Sequence, residues 1–348
     1  MNAPASTAAT GRMASIESGR GLAALAVSFL HGANMMSAPQ YQGRVGFGGL
    51  FEYGFLGVDF FFVLSGFIIV FVHHTDIGVP HRAFRYVWRR VTRILPTYWL
   101  IASLSLLLNQ LLQRDKAIVT PLYLVKNVLL LDSPLWLAIA WTLQHEFFFY
   151  FAFVVMILSR VAGSILFVAW AIVCAVAWFL GAQKVTEGLI YYALNPYMAM
   201  FFTGMALSFI YTQRRAWLPA TVVVLAVIGL ALWAHVLAAG LDRWSMPRYL
   251  GVANICGALL GSLLILHDRQ VRIPTVLVWL GSISYSLYLV HLFPIGYFYA
   301  ILSRIGLYGY LPEIVVFTIG QALAIFTAWL IFRFVERPII RWAHRKVP

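Results

Sequence analysis

The sequence predicts an all-α polytopic membrane protein of about ten transmembrane helices, with both ends on the cytoplasmic side. Three observations predict it. The 348 residues are 62% hydrophobic and only 11% charged. Apolar stretches long enough to cross a bilayer recur along the whole chain. Basic residues favour one set of connecting segments over the other. A soluble domain is about 45–50% apolar and about 25% charged. The excess here exceeds what one soluble core can bury, because a body of this size keeps a large wet surface. Lipid is the natural solvent for it.

A hydrocarbon core of about 30 Å takes roughly 20 residues to cross. Ten stretches qualify: Arg20–Ser37, Tyr53–His73, Arg90–Leu112, Leu137–Ser159, Ser164–Gly181, Ile190–Tyr211, Leu218–Ala239, Pro247–Leu266, Val276–Leu302 and Leu311–Val335. The first is the least apolar at its start. It lacks a small-residue cleavage site after a short core, so it reads as a mature helix and not a removed signal peptide. Residues 1–14 are small and polar and read as a disordered cytoplasmic tail. Residues 15–342 form the transmembrane domain, and 343–348 a second cytoplasmic tail. The longest outer connections, 38–52 and 113–136, are long enough to reach over the mouth of a cavity. The longest inner one, 74–89, is strongly basic.

Orientation follows from the cations. With the N-terminus inside, the outer segments hold only Arg44, Arg114, Lys116, Lys126, Lys184, Arg243, Arg248 and Arg304, and the inner ones hold the rest of the 25 Lys and Arg. The positive-inside rule therefore sets both termini in the cytoplasm, in agreement with an even helix count. The same bias accounts for the net charge of +13 without nucleic acid, whose binders gather cations on one soluble surface. Cys174 and Cys256 fall mid-helix in no metal-type spacing and read as small buried residues.

Side chains that do not belong in lipid point to function. Arg20 and His31 stand eleven residues apart, so they share one helix face, with His31 about 16 Å along the axis near mid-membrane. An imidazole there can exchange a proton near neutral pH; the bland alternative is a histidine that bridges two helices. Glu146, in Trp141-Thr-Leu-Gln-His-Glu146, lies about 15 Å into a helix that enters from outside. It could orient an imidazole, bind a sugar hydroxyl, or pair two helices. Asp59 lies in Gly57-Val-Asp-Phe-Phe-Phe-Val-Leu-Ser-Gly66, where Ser65 and Gly66 permit close helix approach. Ser284, Tyr288 and His291 recur at i, i+4, i+7 and form one polar stripe, which lines a pocket or glues helices together. His145 and His235 are the other intramembrane histidines. Arg82, Arg85, Arg89 and Arg93 make a second stripe with Arg90 beside it. Two arginines suffice for a lipid anchor. Five, reaching into the third helix, look like a phosphate site.

A phosphate site beside a mid-membrane histidine and carboxylate suits a coenzyme A thioester, whose thin arm could thread inward. No Gly-rich phosphate loop and no metal cluster is evident. An ion-coupled transporter of a sugar or lipid has the same buried His and carboxylate, and a structural subunit of an export complex would need neither.

Several motifs in order resemble membrane acyltransferase family 3 over about residues 15–342. They are Arg20-Gly-Leu-Ala-Ala with His31, the Gly57–Gly66 run, Arg90-x-x-Arg93 with Ile-Leu-Pro-Thr-Tyr-Trp99, Trp141-Thr-Leu-x-x-Glu146, Ser284-Tyr-Ser-Leu-Tyr-Leu-Val-His291, and Glu336-Arg-Pro338. The compact form is similar to the family's exopolysaccharide acetyltransferases. The resemblance implies a bacterial inner-membrane enzyme that moves an acyl group, acetyl by default, from cytoplasmic acyl-CoA to a hydroxyl of a saccharide or lipid-linked saccharide, without a metal. His31 then matches the family's essential histidine, as general base or transient acyl carrier, with Glu146 or Asp59 as its support. Arg90 and Arg93, with Arg20, Arg85 and Arg89, would hold the donor's phosphates. Trp141, Ser284, Tyr288 and His291 would shape the acceptor cavity. Thr142 and Phe147 depart from the usual Ser and second acid of the fourth-helix motif, and Glu17 stands near a commoner Asp or Leu.

Overall fold

The computed structural model describes residues 13–41, 46–111, 120–131, 135–181, 188–242 and 244–346. The outer-loop positions Arg44, Arg114, Lys116, Lys184 and Arg243, residues 1–12 of the first tail, and 347 and 348 of the second lie outside the described residues. All regular structure among the described residues is helical: α1 (Ala14–Met36), α2 (Leu56–His73), α3 (Ala83–Leu111), α4 (Pro121–Val128), α5 (Trp141–Leu158), α6 (Arg160–Phe179), α7 (Gly188–Leu194), α8 (Met198–Gln213), α9 (Leu218–Ala238), α10 (Met246–Asp268), α11 (Thr275–Ser282), α12 (Ser284–Val290), α13 (Leu292–Arg304), α14 (Glu313–Ile331) and α15 (Arg337–Lys346).

Seven helical segments are long and apolar enough to cross a bilayer singly, and two bent pairs, α7 with α8 at 47° and α12 with α13 at 45°, bring the number to nine. The expected tenth, over Arg20–Ser37, exists as α1 but is not among them. Its Gly, Ala and Ser residues lower its hydropathy because it packs against protein instead of lipid. Gly54 and Gly57 lie against the carbonyls of Ala26 and Ala23, and Gly281 against that of Glu17. Small residues at such seams let backbones touch where no hydrophobic drive separates helix from lipid. Gly66 and Gly204 make the same seam between α2 and α8, facing the backbone of Phe201 and Val63.

The two bends have local causes. Pro196 follows Asn195 at the α7–α8 break, where helical hydrogen bonds lapse. The freed carbonyls of Ala193 and Leu194 accept from Trp170 Nε1 at 2.7 Å and Trp178 Nε1 at 2.6 Å. Side chains so replace the missing backbone donors, as a lipid setting requires. Pro294 near the start of α13 brings no N–H to the carbonyl of Val290, and the helix bends at His291. A third irregularity is the π-helical segment Phe332–Glu336 between α14 and α15, which leaves Glu336 buried.

The two ends of the bundle differ. At one, Phe47 and Phe51 pack on Phe29 and Phe317, and the Phe47 N–H donates to Glu313. There α4 is tied to α3 by Tyr98 and Trp99, which donate to Asn127 and Val128 carbonyls at 2.9 and 2.8 Å. At the other end, Asp76 accepts from Arg82 at 2.6 Å and pairs with His73 at 2.8 Å. Burial alone would raise the Asp76 carboxyl, but the hydrogen bonds from His73 and Arg82 outweigh it and hold the group below its ordinary range. The α15 helix closes this end: Trp88 of α3 donates to the carbonyl of Ala343 at 3.2 Å.

Candidate active site

Five helices converge on one cavity of about 100 Å³, whose wall includes Arg20 of α1, Ser65 of α2, Arg90 and Arg93 of α3, Glu146 of α5, and Ser284 and Tyr288 of α12. Arg20, Arg90 and Arg93 come from the basic end, and Arg90 and Arg93 rise one turn apart on α3 to face inward. Arg20 is held by Glu17 at 3.3 Å. Arg90 rests its guanidinium over the rings of Tyr150 at 5.0 Å and Tyr86 at 5.7 Å. Neither Arg90 nor Arg93 makes a hydrogen bond or ion pair among the described residues. Part-buried guanidiniums on the cavity wall present their donors to the cavity, where an anion or a polarised carbonyl can accept them.

Glu146 faces these cations. Its Oε1 accepts from Ser65 at 2.6 Å and from Tyr150 one turn further along α5. Ser65 is therefore more than a small packing residue, whereas Gly66 beside it is one. Tyr288 lies on the same wall, its hydroxyl 2.9 Å from that of Thr142 and donating to the Ile139 carbonyl at 3.0 Å. The Ser284 hydroxyl is buried on the wall with no partner among the described residues. Three acids, Glu17, Glu336 and Glu146, act electrostatically on Arg20. Glu336 is itself fixed by Ser286, which donates to it at 2.6 Å.

His31 sits on the same helix as Arg20 but is not part of the cavity wall. Its Nδ1 lies 2.8 Å from His291 Nε2. The expected support from Glu146 or Asp59 is therefore absent in this geometry: Glu146 bonds Ser65 and Tyr150, and the imidazole that meets His31 is one expected to shape the acceptor cavity. Asp59 is buried outside the cavity wall, with Arg248 acting on it electrostatically. Trp141 packs on His145 and Tyr197 at centroid separations of 5.6 and 5.2 Å, away from the wall. Arg85 approaches Asp76 at 3.7 Å, and Arg89 is not among the cavity residues.

Two hydrogen-bond partners of the site's carboxylates are not evident from the sequence pattern. Tyr150 could have been found as the i+4 neighbour of Glu146, which shares its helix face. Ser286 lies on the opposite side of α12 from the Ser284–Tyr288–His291 stripe, so the stripe pattern pointed away from it. Among the described residues no group of three or more His, Cys, Asp or Glu is placed to hold a metal ion.

The family profile described as an acyltransferase domain matches residues 13–333. The exopolysaccharide production protein ExoZ of Rhizobium meliloti (strain 1021) is 27% identical over 322 aligned residues, which cover 84% of this chain and 91% of that protein. No solved structure matches the chain significantly.

Proposed function

Because the chain belongs to membrane acyltransferase family 3, we propose that it O-acylates a glycan at the bacterial inner membrane. It moves an acyl group, acetyl in the simplest case, from cytoplasmic acyl-coenzyme A to a hydroxyl of an exopolysaccharide or related envelope saccharide. The saccharide reading is supported by the likeness to a protein of exopolysaccharide production. The observation that carries the donor reading is the set of Arg20, Arg90 and Arg93 converging with Glu146 on one cavity, with Arg90 and Arg93 unpaired among the described residues.

The chemistry assigned to these residues is direct. Arginines at the basic end hold the donor's phosphates by paired N–H bonds, as planar guanidiniums do. The cavity is narrow and lined by Phe61, Phe62 and Leu64 as well as the charges, which suits a thin thioester arm better than a bulky headgroup. His31 is the general base. It takes the proton of the acceptor hydroxyl as that oxygen bonds to the thioester carbonyl carbon, and returns it to the departing sulfur. Glu146, pinned by Ser65 and Tyr150, sets the negative charge that balances the arginines and offers its other oxygen to the cavity.

The test is label transfer from radiolabelled acetyl-CoA to exopolysaccharide that mild alkali has stripped of its esters, with purified protein in lipid nanodiscs. Wild-type protein transfers label, and His31→Ala reduces transfer by ~10²–10⁴-fold, the usual worth of a general base. Transfer by His31→Ala at the wild-type rate would overturn the assignment of the base.

A further inference from the structure

Which nitrogen of His31 is free to take a proton is settled by His291. His291 sits at the bend between α12 and α13 and is fully buried. Its Nδ1 lies 2.9 Å from the carbonyl oxygen of Tyr288 and 3.1 Å from that of Leu287. Carbonyl oxygens only accept, so His291 Nδ1 carries a hydrogen and donates it. Neither histidine has a carboxylate partner among the described residues, and an unpaired imidazolium in this setting is expensive. His291 is therefore neutral, and its Nε2 bears a lone pair. The hydrogen in the 2.8 Å contact must then belong to His31 Nδ1.

The ring geometry agrees. The two ring centres are 5.0 Å apart with planes 19° from parallel. That separation is close to the N···N distance plus the two ring radii, so the rings meet edge to edge along a lone pair, as an in-plane hydrogen bond requires. The helix of His31 is fixed one turn before it: Ser28 donates to Gln321 Oε1 at 2.6 Å and accepts at its carbonyl from Gln321 Nε2 at 3.1 Å.

We propose that His291 is a positioning residue that holds His31 in the tautomer protonated on Nδ1, so that the Nε2 lone pair of His31 faces the reacting groups. It does by a neutral imidazole what a carboxylate does in the better-known base–orienter pairs, where the wrong tautomer removes the base. This rests on His31 acting as base. In the step, the acceptor O–H proton passes to His31 Nε2 while the oxygen–carbon bond forms. The carbon–sulfur bond then breaks, and the same proton goes to the sulfur, which leaves an ester and a free thiol. His291 accepts the His31 Nδ1–H bond throughout, takes no proton, and steadies the imidazolium without a buried carboxylate.

Two measurements test it. In protein labelled with ¹⁵N-histidine and held in nanodiscs, the His31 resonances, identified by their loss in His31→Ala, should show a protonated Nδ1 and an unprotonated Nε2. A protonated Nε2 on His31 in the wild type would overturn the proposal, whatever the variants do. His291→Leu should lower kcat for label transfer by ~10²-fold or more while KM for acetyl-CoA stays within about twofold, a loss confined to the chemical step. His291→Gln should restore much of the rate, because its amide N–H can serve the carbonyls while its oxygen accepts from His31. Wild-type kcat in a folded His291→Leu protein that still binds acetyl-CoA, beside an inactive His31→Ala, would sink the positioning role and leave the base standing. Full activity in His31→Ala would instead sink the base itself.

Discussion

Glu146 is the residue on which the charge balance of the cavity turns. It lies among Arg20, Arg90 and Arg93 and takes two hydrogen bonds on one oxygen. Glu146→Gln keeps an oxygen that can accept from Ser65 and Tyr150 but removes the charge. Turnover should fall by about tenfold or more with acetyl-CoA still bound; unchanged turnover would reduce Glu146 to a tie between helices. At this scale the sequence was informative about which residues matter and silent about how they pair. A carboxylate and a histidine at similar depth on different helices suggested a mutual bond, yet depth alone does not fix the rotation of either helix. Helix rotation comes from packing, and it brings His31 to His291 and Glu146 to Ser65, while Tyr150 meets Glu146 from one turn along the same helix. Arg90 and Arg93 were legible as a pair because one turn of helix separates them. Arg85 and Arg89, earlier on the stripe that reaches the cavity at Arg93, are not among the cavity residues, and Asp76 holds Arg82 and lies near Arg85.

The helices themselves were mostly legible, because twenty apolar residues in a row have few other uses. The departures are physical. The first stretch, Arg20–Ser37, is a helix, but its small residues pack it against protein, and the ninth, Val276–Leu302, is three helices with breaks at Ile283 and His291. Its pattern of i, i+4, i+7 held only as far as the second break. Seams that admit no side chain make a sharp prediction. A Cβ on Gly204 would fall inside the contact distance of the Val63 carbonyl. Gly204→Val should therefore force α2 and α8 apart and cost about 1–3 kcal/mol or more, read as a lower thermal midpoint in detergent. The turn between α2 and α3 makes another. Because Asp76 is held below the ordinary carboxylate range, its contribution to stability is complete above the unfolded-state value and is lost as pH falls through its depressed value. Wild-type protein should lose stability over that acidic interval by more than Asp76→Asn does. Parallel curves would mean that His73 and Arg82 gain nothing from the charge.

For the whole molecule, seven single spans and two bent pairs accompany a polar cavity that brings Arg20, Arg90, Arg93, Glu146 and Tyr288 together, with the His31–His291 pair outside its wall. Lipid-facing surface lies on α6 and α9, the least buried of the spans, and the polar groups face inward, as the absence of water in the hydrocarbon demands. Such a set of inward polar groups also fits an ion-coupled carrier, and what separates the two is whether a coenzyme A thioester binds at the arginines. Donor binding at the arginines is therefore best measured by calorimetry of acetyl-CoA with the purified, folded protein and with Arg90→Ala/Arg93→Ala. Saturable binding is expected for the wild type, about 10–100-fold weaker in the double variant, as the loss of two charged donors implies, and weakened further by salt. No binding of acetyl-CoA by the wild type, or equal affinity in the two proteins, would rule out a donor site at the arginines.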